Sequence, residues 1–190
     1  RKAAPRTAHC YWIPFFSPAG YGYRFDALAN AMVSLVGVST KRQRMIVDAF
    51  IDENVVHPDV MLLPAFHPSI TPVDTDWEDL QMTFSYTFKN KPHEYHNGGL
   101  WPMVTGFYAA DLAQRRQTDR AIRYLEGLHR ANALTCEEVD HCFPEFLHGT
   151  SFEPGGTMKM GWSAAAAVMV YEALRGRRVF QTPQLNTLEA

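Results

Sequence analysis

Apolar residues recur every three or four positions over most of this chain, and where that rhythm breaks, the breaks are long. In "YGYRFDALANAMVSLVGV" the set Phe25, Leu28, Ala29, Met32, Leu35 and Val36 falls on one helical face, which predicts a helix ended by Gly37. Thr40 and Gln43 then stand three apart as a capping box, with Met45, Ile46, Ala49 and Phe50 following on one side. Two helices joined by "GVST" predict an antiparallel hairpin. A helix from about Leu100 to Gln114 aligns Trp101, Val104, Tyr108 and Leu112, and another from about Asp119 to Asn132 aligns Ala121, Leu125 and Leu128. The last periodic segment, "WSAAAAVMVYEALRG", is apolar nearly all round, which predicts a helix buried on every side and ended by Gly176.

Between these helices lie two irregular stretches. Residues 53–97 hold five prolines and many aromatics, with room for one short helix near Trp77 to Phe84. Residues 135–161 hold Pro144, Pro154 and the adjacent Gly155 and Gly156. Loops of this length inside a compact domain are usually functional. No segment shows sustained strand alternation. The pattern predicts an all-α domain, 1–190, of successive helical hairpins whose long loops gather at one end, as in a helical toroid.

Composition narrows the partners. Of 190 residues, 46% are hydrophobic and 20% charged, which predicts a packed core. With 18 Lys+Arg against 20 Asp+Glu the net charge is −2, so no basic footprint for nucleic acid is present. The longest apolar run, Ala164 to Tyr171, falls well short of the roughly 18 residues a membrane span requires. Cys10, Cys136 and Cys142 form an odd set without a disulfide-rich spacing, so a reducing, cytoplasmic setting is the simpler reading. A neutral small molecule is the partner these numbers favour.

Candidate chemistry concentrates in the loops. In "PHEYHNGGLWP", His96, Asn97, Gly98, Gly99 and Trp101 combine flat aromatic surface with neutral hydrogen-bonding groups, which suits a sugar ring and equally suits a tight turn capping the next helix. In "FPEFLHG", Glu145 follows Pro144 between Phe143 and Phe146; it reads either as a surface Glu in a loop turn or, if the segment lines a pocket, as a carboxyl whose apolar neighbours raise its pKa and suit it to proton transfer. Glu153 has the same choice of roles with less shielding. Asp26 and Asp76 read as caps or solvated charges, and Asp111 as an exposed or hydrogen-bonded helix residue. "HEYH" fails the zinc-protease spacing, Cys136, His141 and Cys142 match no zinc module, and "GWSAAAA" lacks the frame of a nucleophile elbow. Neither a metal nor a cofactor is expected.

In their order, "YHNGGLWP", "FPEFLHG" and "MGWSAAA", preceded by "RFDALANAMVSLVGV", resemble the blocks of the neutral/alkaline invertases and related α/α-toroid glycoside hydrolases, over roughly Phe25 to Leu174. The resemblance implies the C-terminal part of an (α/α)6 toroid that hydrolyses an α-glycosidic bond, in sucrose or another α-glucoside. It implies Glu145 as the general base of an inverting mechanism and His96, Asn97, Gly98, Gly99, Trp101 and Lys159 as substrate-binding residues. Two departures weaken sucrose specificity: Leu100 stands where the family has Ser, and Lys159 is the nearest basic residue in a loop where invertases carry an arginine. The family's acid is an aspartate in the earlier half, so the chain is expected to pack against an N-terminal half that supplies it and to show an open apolar edge there. The competing readings are a sugar isomerase or epimerase using His96 and His148, and a noncatalytic carbohydrate-binding domain.

Overall fold

A computed structural model describes residues 10–179 apart from 15, 18, 19 and 85, and the backbone alone of 16, 17, 20 and 21. The opening "RKAAPRT" and both ends of the 1–190 domain lie outside the described residues. Six helices carry nearly all of the regular structure there: α1 (Ala27–Leu35), α2 (Lys41–Phe50), α3 (Trp77–Gln81), α4 (Pro102–Gln114), α5 (Thr118–Asn132) and α6 (Gly161–Leu174). The capping box predicted at Thr40 and Gln43 is present, and the chain runs from α2 into a π-helical turn, Ile51–Val55. Asp26 caps α1 by accepting the Ala29 N–H at 2.9 Å, and Pro102 opens α4, where its missing N–H costs nothing. Gly37 and Gly176 both take positive φ, 78° and 82°, at the ends of α1 and α6.

Helix α4 is the centre of the molecule, packed on α1, α5 and α6. Its residues are buried almost all round, with Ala109, Ala110 and Leu112 at 0% exposure. A Cβ on Gly106 would stand 2.7 Å from that of Ala166, so a small residue is what lets α4 and α6 approach. Tyr124 and Leu128 of α5 and Val170 of α6 complete the core; full burial of such a side chain contributes roughly 1.5–3 kcal/mol.

Two sequence expectations are corrected. Helix α6 is not buried all round: α4 and α5 cover one side, while Trp162, Val168 and Tyr171 on the other are 62%, 61% and 53% exposed. Uniform apolarity erased the periodicity that separates a covered face from an open one. Cys136 and Cys142 are joined in a disulfide, where their spacing argued for reduced thiols. The reason is local: Cys136 and Val139 exchange backbone hydrogen bonds in a tight turn, and the returning strand brings the two Cα atoms to 5.7 Å. This pairing removes the cysteine argument for a cytoplasmic setting. No helix among the described residues is long and apolar enough to cross a membrane.

Short extended segments, too brief for alternation to reveal, tie the loops together. Besides β1 (Phe16–Ser17) and β2 (Gly20–Tyr21), which pair antiparallel, β3 (Phe25–Asp26) pairs antiparallel with β4 (Phe66–His67), and β5 (Phe146–Leu147) with β6 (Pro154–Gly155). Main-chain bonds continue between the last two pairs. Ala27 N–H donates to Ala65 O at 3.1 Å, Ala65 N–H to Gly99 O at 2.9 Å, and Trp101 N–H to Leu63 O at 2.9 Å. Leu100 and Leu147 then exchange two bonds of 2.8 Å. Residues near 26, 66, 100, 146 and 155 thus form one continuous shelf at the loop end of the helices.

Candidate active site

The shelf brings together Asp26, His96, Trp101 and Glu145, which come from three separate parts of the chain. The corner at 92–101 is shaped by Asn97 and two glycines. Asn97 is 3% exposed, and its amide is spent on backbone: Oδ1 accepts from Ile70 N–H, and Nδ2 donates to Ile70 O at 2.7 Å and Asn90 O at 3.0 Å. Its place is inside the turn, holding the 66–90 loop against the corner. Gly98 has φ +96°, and a Cβ on Gly99 would strike Tyr95 O and the Phe146 ring, so both are demanded by the close turn.

Trp101 is 7% exposed and donates its indole N–H to Tyr95 O at 2.9 Å. Its ring lies near parallel to Phe146, 22° between planes and 6.1 Å between centroids, and 5.0 Å from His96. His96 in turn stacks on Tyr95 at 4.2 Å and 18°. Trp101 is therefore the support behind a wall whose outer members are His96 and Tyr95. Burial pushes the His96 pKa down, against the opposing pull of the Glu145 and Asp26 carboxylates. A neutral imidazole between two acids offers one donor and one acceptor at neutral pH.

Glu145 is positioned from behind by α5 and α6. Ser163 of α6 donates its hydroxyl to Pro144 O at 2.6 Å, and Asn132 of α5 donates to Ser163 O at 2.9 Å. Across the loop, Glu145 and Thr157 are bound twice: Glu145 N–H to Thr157 O at 2.9 Å, and Thr157 N–H to Glu145 Oε2 at 3.0 Å. The carboxylate is half-buried, and among the described residues Oε1 takes no hydrogen bond. Gly156, at φ +74°, makes room for it: a Cβ there would overlap Oε2. Gly156→Ala is expected to displace the carboxylate and lower kcat of the full-length protein tenfold or more while the far-ultraviolet circular dichroism stays unchanged; an unaltered kcat would show that turnover does not depend on where the Glu145 carboxylate is held.

Other candidates fall elsewhere. Lys159 is exposed, its backbone N–H donating to Cys142 O. Glu153 is exposed; its carbonyl accepts the His148 N–H at 2.8 Å, and its carboxylate accepts the Ser151 hydroxyl at 3.4 Å. His148 Nδ1 accepts the Thr150 and Ser151 N–H groups at 3.2 Å each, which places its proton on Nε2; its ring lies 6.0 Å from His93, apart from the His96 stack. Sequence reasoning missed the proximity of Asp26, which read as a helix cap. It is one, yet β3–β4 pairing also carries its charge within reach of His96. Tyr95 was legible only as an aromatic beside the corner. Beyond His96 lies a cavity of about 490 Å³, between Tyr95 and the 66–90 loop.

An aromatic wall with a neutral imidazole suits a sugar ring, and Glu145, with one oxygen free, is one of the two carboxyl groups that glycoside hydrolysis uses. Residues 5–151 match the alkaline and neutral invertase family, and the chain belongs to that family of glycoside hydrolases. The match takes in the 92–101 corner and Glu145. Over 113 residues, 59% of this chain, it is 30% identical to the glucosylglycerate hydrolase of Mycolicibacterium hassiacum. That alignment covers 20% of the relative, so the chain spans only a small part of that protein's length.

Proposed function

We propose that this chain is the C-terminal catalytic portion of an inverting glycosidase that hydrolyses the α-glycosidic bond of sucrose or another α-glucoside. The observation that carries it is the setting of Glu145, held by the Thr157 N–H on one oxygen and open on the other. Oε1 takes a proton from water as that water attacks the anomeric carbon, while an acid on the opposite side protonates the departing oxygen. Inverting enzymes hold the two carboxyl groups roughly 6.5–9.5 Å apart, which leaves space for the water. Asp26 is already bound to the α1 N-terminus, so the acid is assigned to the N-terminal half of a longer chain. His96 and Tyr95 face the sugar, Trp101 and Phe146 back them, and Asn97, Gly98 and Gly99 set the corner; Lys159 stands outside this wall.

The open face of α6 supports a toroid completed by that other half. An exposed stripe of Trp162, Val168 and Tyr171 beside Ala165 is what a closing helix would cover. Proton NMR of the full-length protein acting on sucrose and on an aryl α-glucoside tests the reaction. The β-anomer of glucose is expected as first product; α-glucose first, or no hydrolysis of any α-glucoside, overturns the proposal.

A further inference from the structure

The cavity beside His96 has walls that suit one kind of leaving group. Phe66, Ile70, Leu80, Phe84 and Tyr95 make it largely apolar, and Lys89 is its one charged lining residue. Of its neutral polar residues, Asn97, Thr83 and the side-chain oxygen of Asn90 are already engaged, and the His96 ring stays available. Asn97 has both ends of its amide on backbone, Asn90 Oδ1 accepts the His96 N–H at 3.2 Å, and Thr83 donates its hydroxyl to Leu80 O at 2.6 Å. A second sugar ring placed here would bury several hydroxyls with few partners, each unmet group costing about 1–3 kcal/mol.

The cation is differently situated from its neighbours. Arg24 pairs with Asp74 at 3.0 Å, and Lys91 lies 4.0 Å from Glu94. Lys89 has no carboxylate within 4.0 Å among the described residues; its ammonium sits 5.6 Å over the Tyr95 ring. That contact holds the charge above the aromatic surface and leaves its donors free. An apolar slot with an unpaired ammonium at its edge and no acid in its lining is complementary to an amphipathic anion.

We propose that this cavity is the leaving-group subsite, that it takes an apolar aglycone bearing a carboxylate, and that Lys89 selects for that carboxylate. The proposal rests on the glycosidase reading. His96 joins the two parts: its ring lines the cavity and feels the charge of Glu145. The aglycone then lies along Phe66 and Phe84, with the Lys89 ammonium above Tyr95, while the glucosyl carbon faces Glu145.

The test compares 4-carboxyphenyl and phenyl α-glucosides on the full-length protein, with Lys89→Met and Lys89→Glu variants. Lys89 is exposed, so folding is expected to survive, as thermal melts would show. In the wild type, kcat/KM favours the carboxyphenyl substrate. Lys89→Met lowers that value about two- to fivefold, in line with an exposed charge contact, and leaves the phenyl substrate unchanged. Lys89→Glu lowers it further, and salt erodes the wild-type preference. Equal losses on both substrates, or no preference in the wild type, overturn the subsite. If the wild type hydrolyses neither compound, the glycosidase reading fails separately. Calorimetric titration with 4-hydroxybenzoate against phenol then decides the subsite, and equal or absent binding overturns it.

Discussion

Glu145→Gln in the full-length protein is expected to lower kcat by about 10²–10⁴-fold with KM little changed, the range general-base catalysis supplies. The amide keeps the size of the side chain and an oxygen to accept the Thr157 N–H, so the loop held by two Glu145–Thr157 bonds stays in place. What is lost is the ability of the second position to take a proton from water, an interaction made only as the transition state forms. Steady-state kinetics on the best α-glucoside, with circular dichroism as a fold control, separate this from a structural role. A rise in KM at constant kcat would make Glu145 a binding residue. Near-wild-type turnover would move the base to another carboxylate, with Asp26, whose charge also acts on His96, the first to test.

How much of this was legible in the residues depends on what kind of order each part has. The helices were readable because their faces repeat: α1, α2, α4 and α5 lie within two residues of the spans that periodicity predicts. The shelf was not, because each strand is two residues long and pairs across separations such as Phe25 to His67, where no local pattern records the partner. Asn97 was visible as a polar residue on a corner. Whether it faced a ligand or its own backbone was settled by the 66–90 loop, whose approach no spacing encodes. Asp111 is the sharpest case. Read as an exposed or hydrogen-bonded helix residue, it is hydrogen-bonded, 2% exposed, and part of an ionic cluster assembled from four helices and the turns after α2 and α4.

That cluster makes Arg115→Met the most destabilising single change expected away from the site. Arg115 grips Asp48 with two nitrogens, at 2.8 and 3.0 Å, and donates Nε to Asp111 at 2.8 Å. Tyr108 and Arg120 also reach Asp48, and Ser34 of α1 donates to Asp111 at 2.7 Å, so one guanidinium locks α2 and the end of α4 together beside α1. The side chains of Arg115, Asp48 and Asp111 are 13%, 8% and 3% exposed, so solvent does little to screen what the substitution leaves behind. Removing one partner from a buried pair costs about 3–5 kcal/mol. For a protein of this size that corresponds to a Tm lower by roughly 10 °C.

The pH dependence has a definite sign. Burial pushes Asp48 up, but its bonds to Arg115 with the charges of Arg115 and Arg120 bring it net below the ordinary carboxylate value. Its contribution is therefore present above the unfolded pKa of about 3.9 and lost as pH falls through the folded one. Burial also raises Asp111, and there the single Arg115 contact and the Ser34 hydroxyl do not overcome it. Without Arg115 this carboxyl is expected to rise further and take up a proton, which relieves part of the cost in mild acid. The difference in Tm between wild type and Arg115→Met should then be largest near pH 7 and shrink by pH 4.5. A gap below about 2 °C at pH 7, as for an exposed pair worth under ~1 kcal/mol, or a gap constant with pH, would show that packing rather than charge holds these helices together.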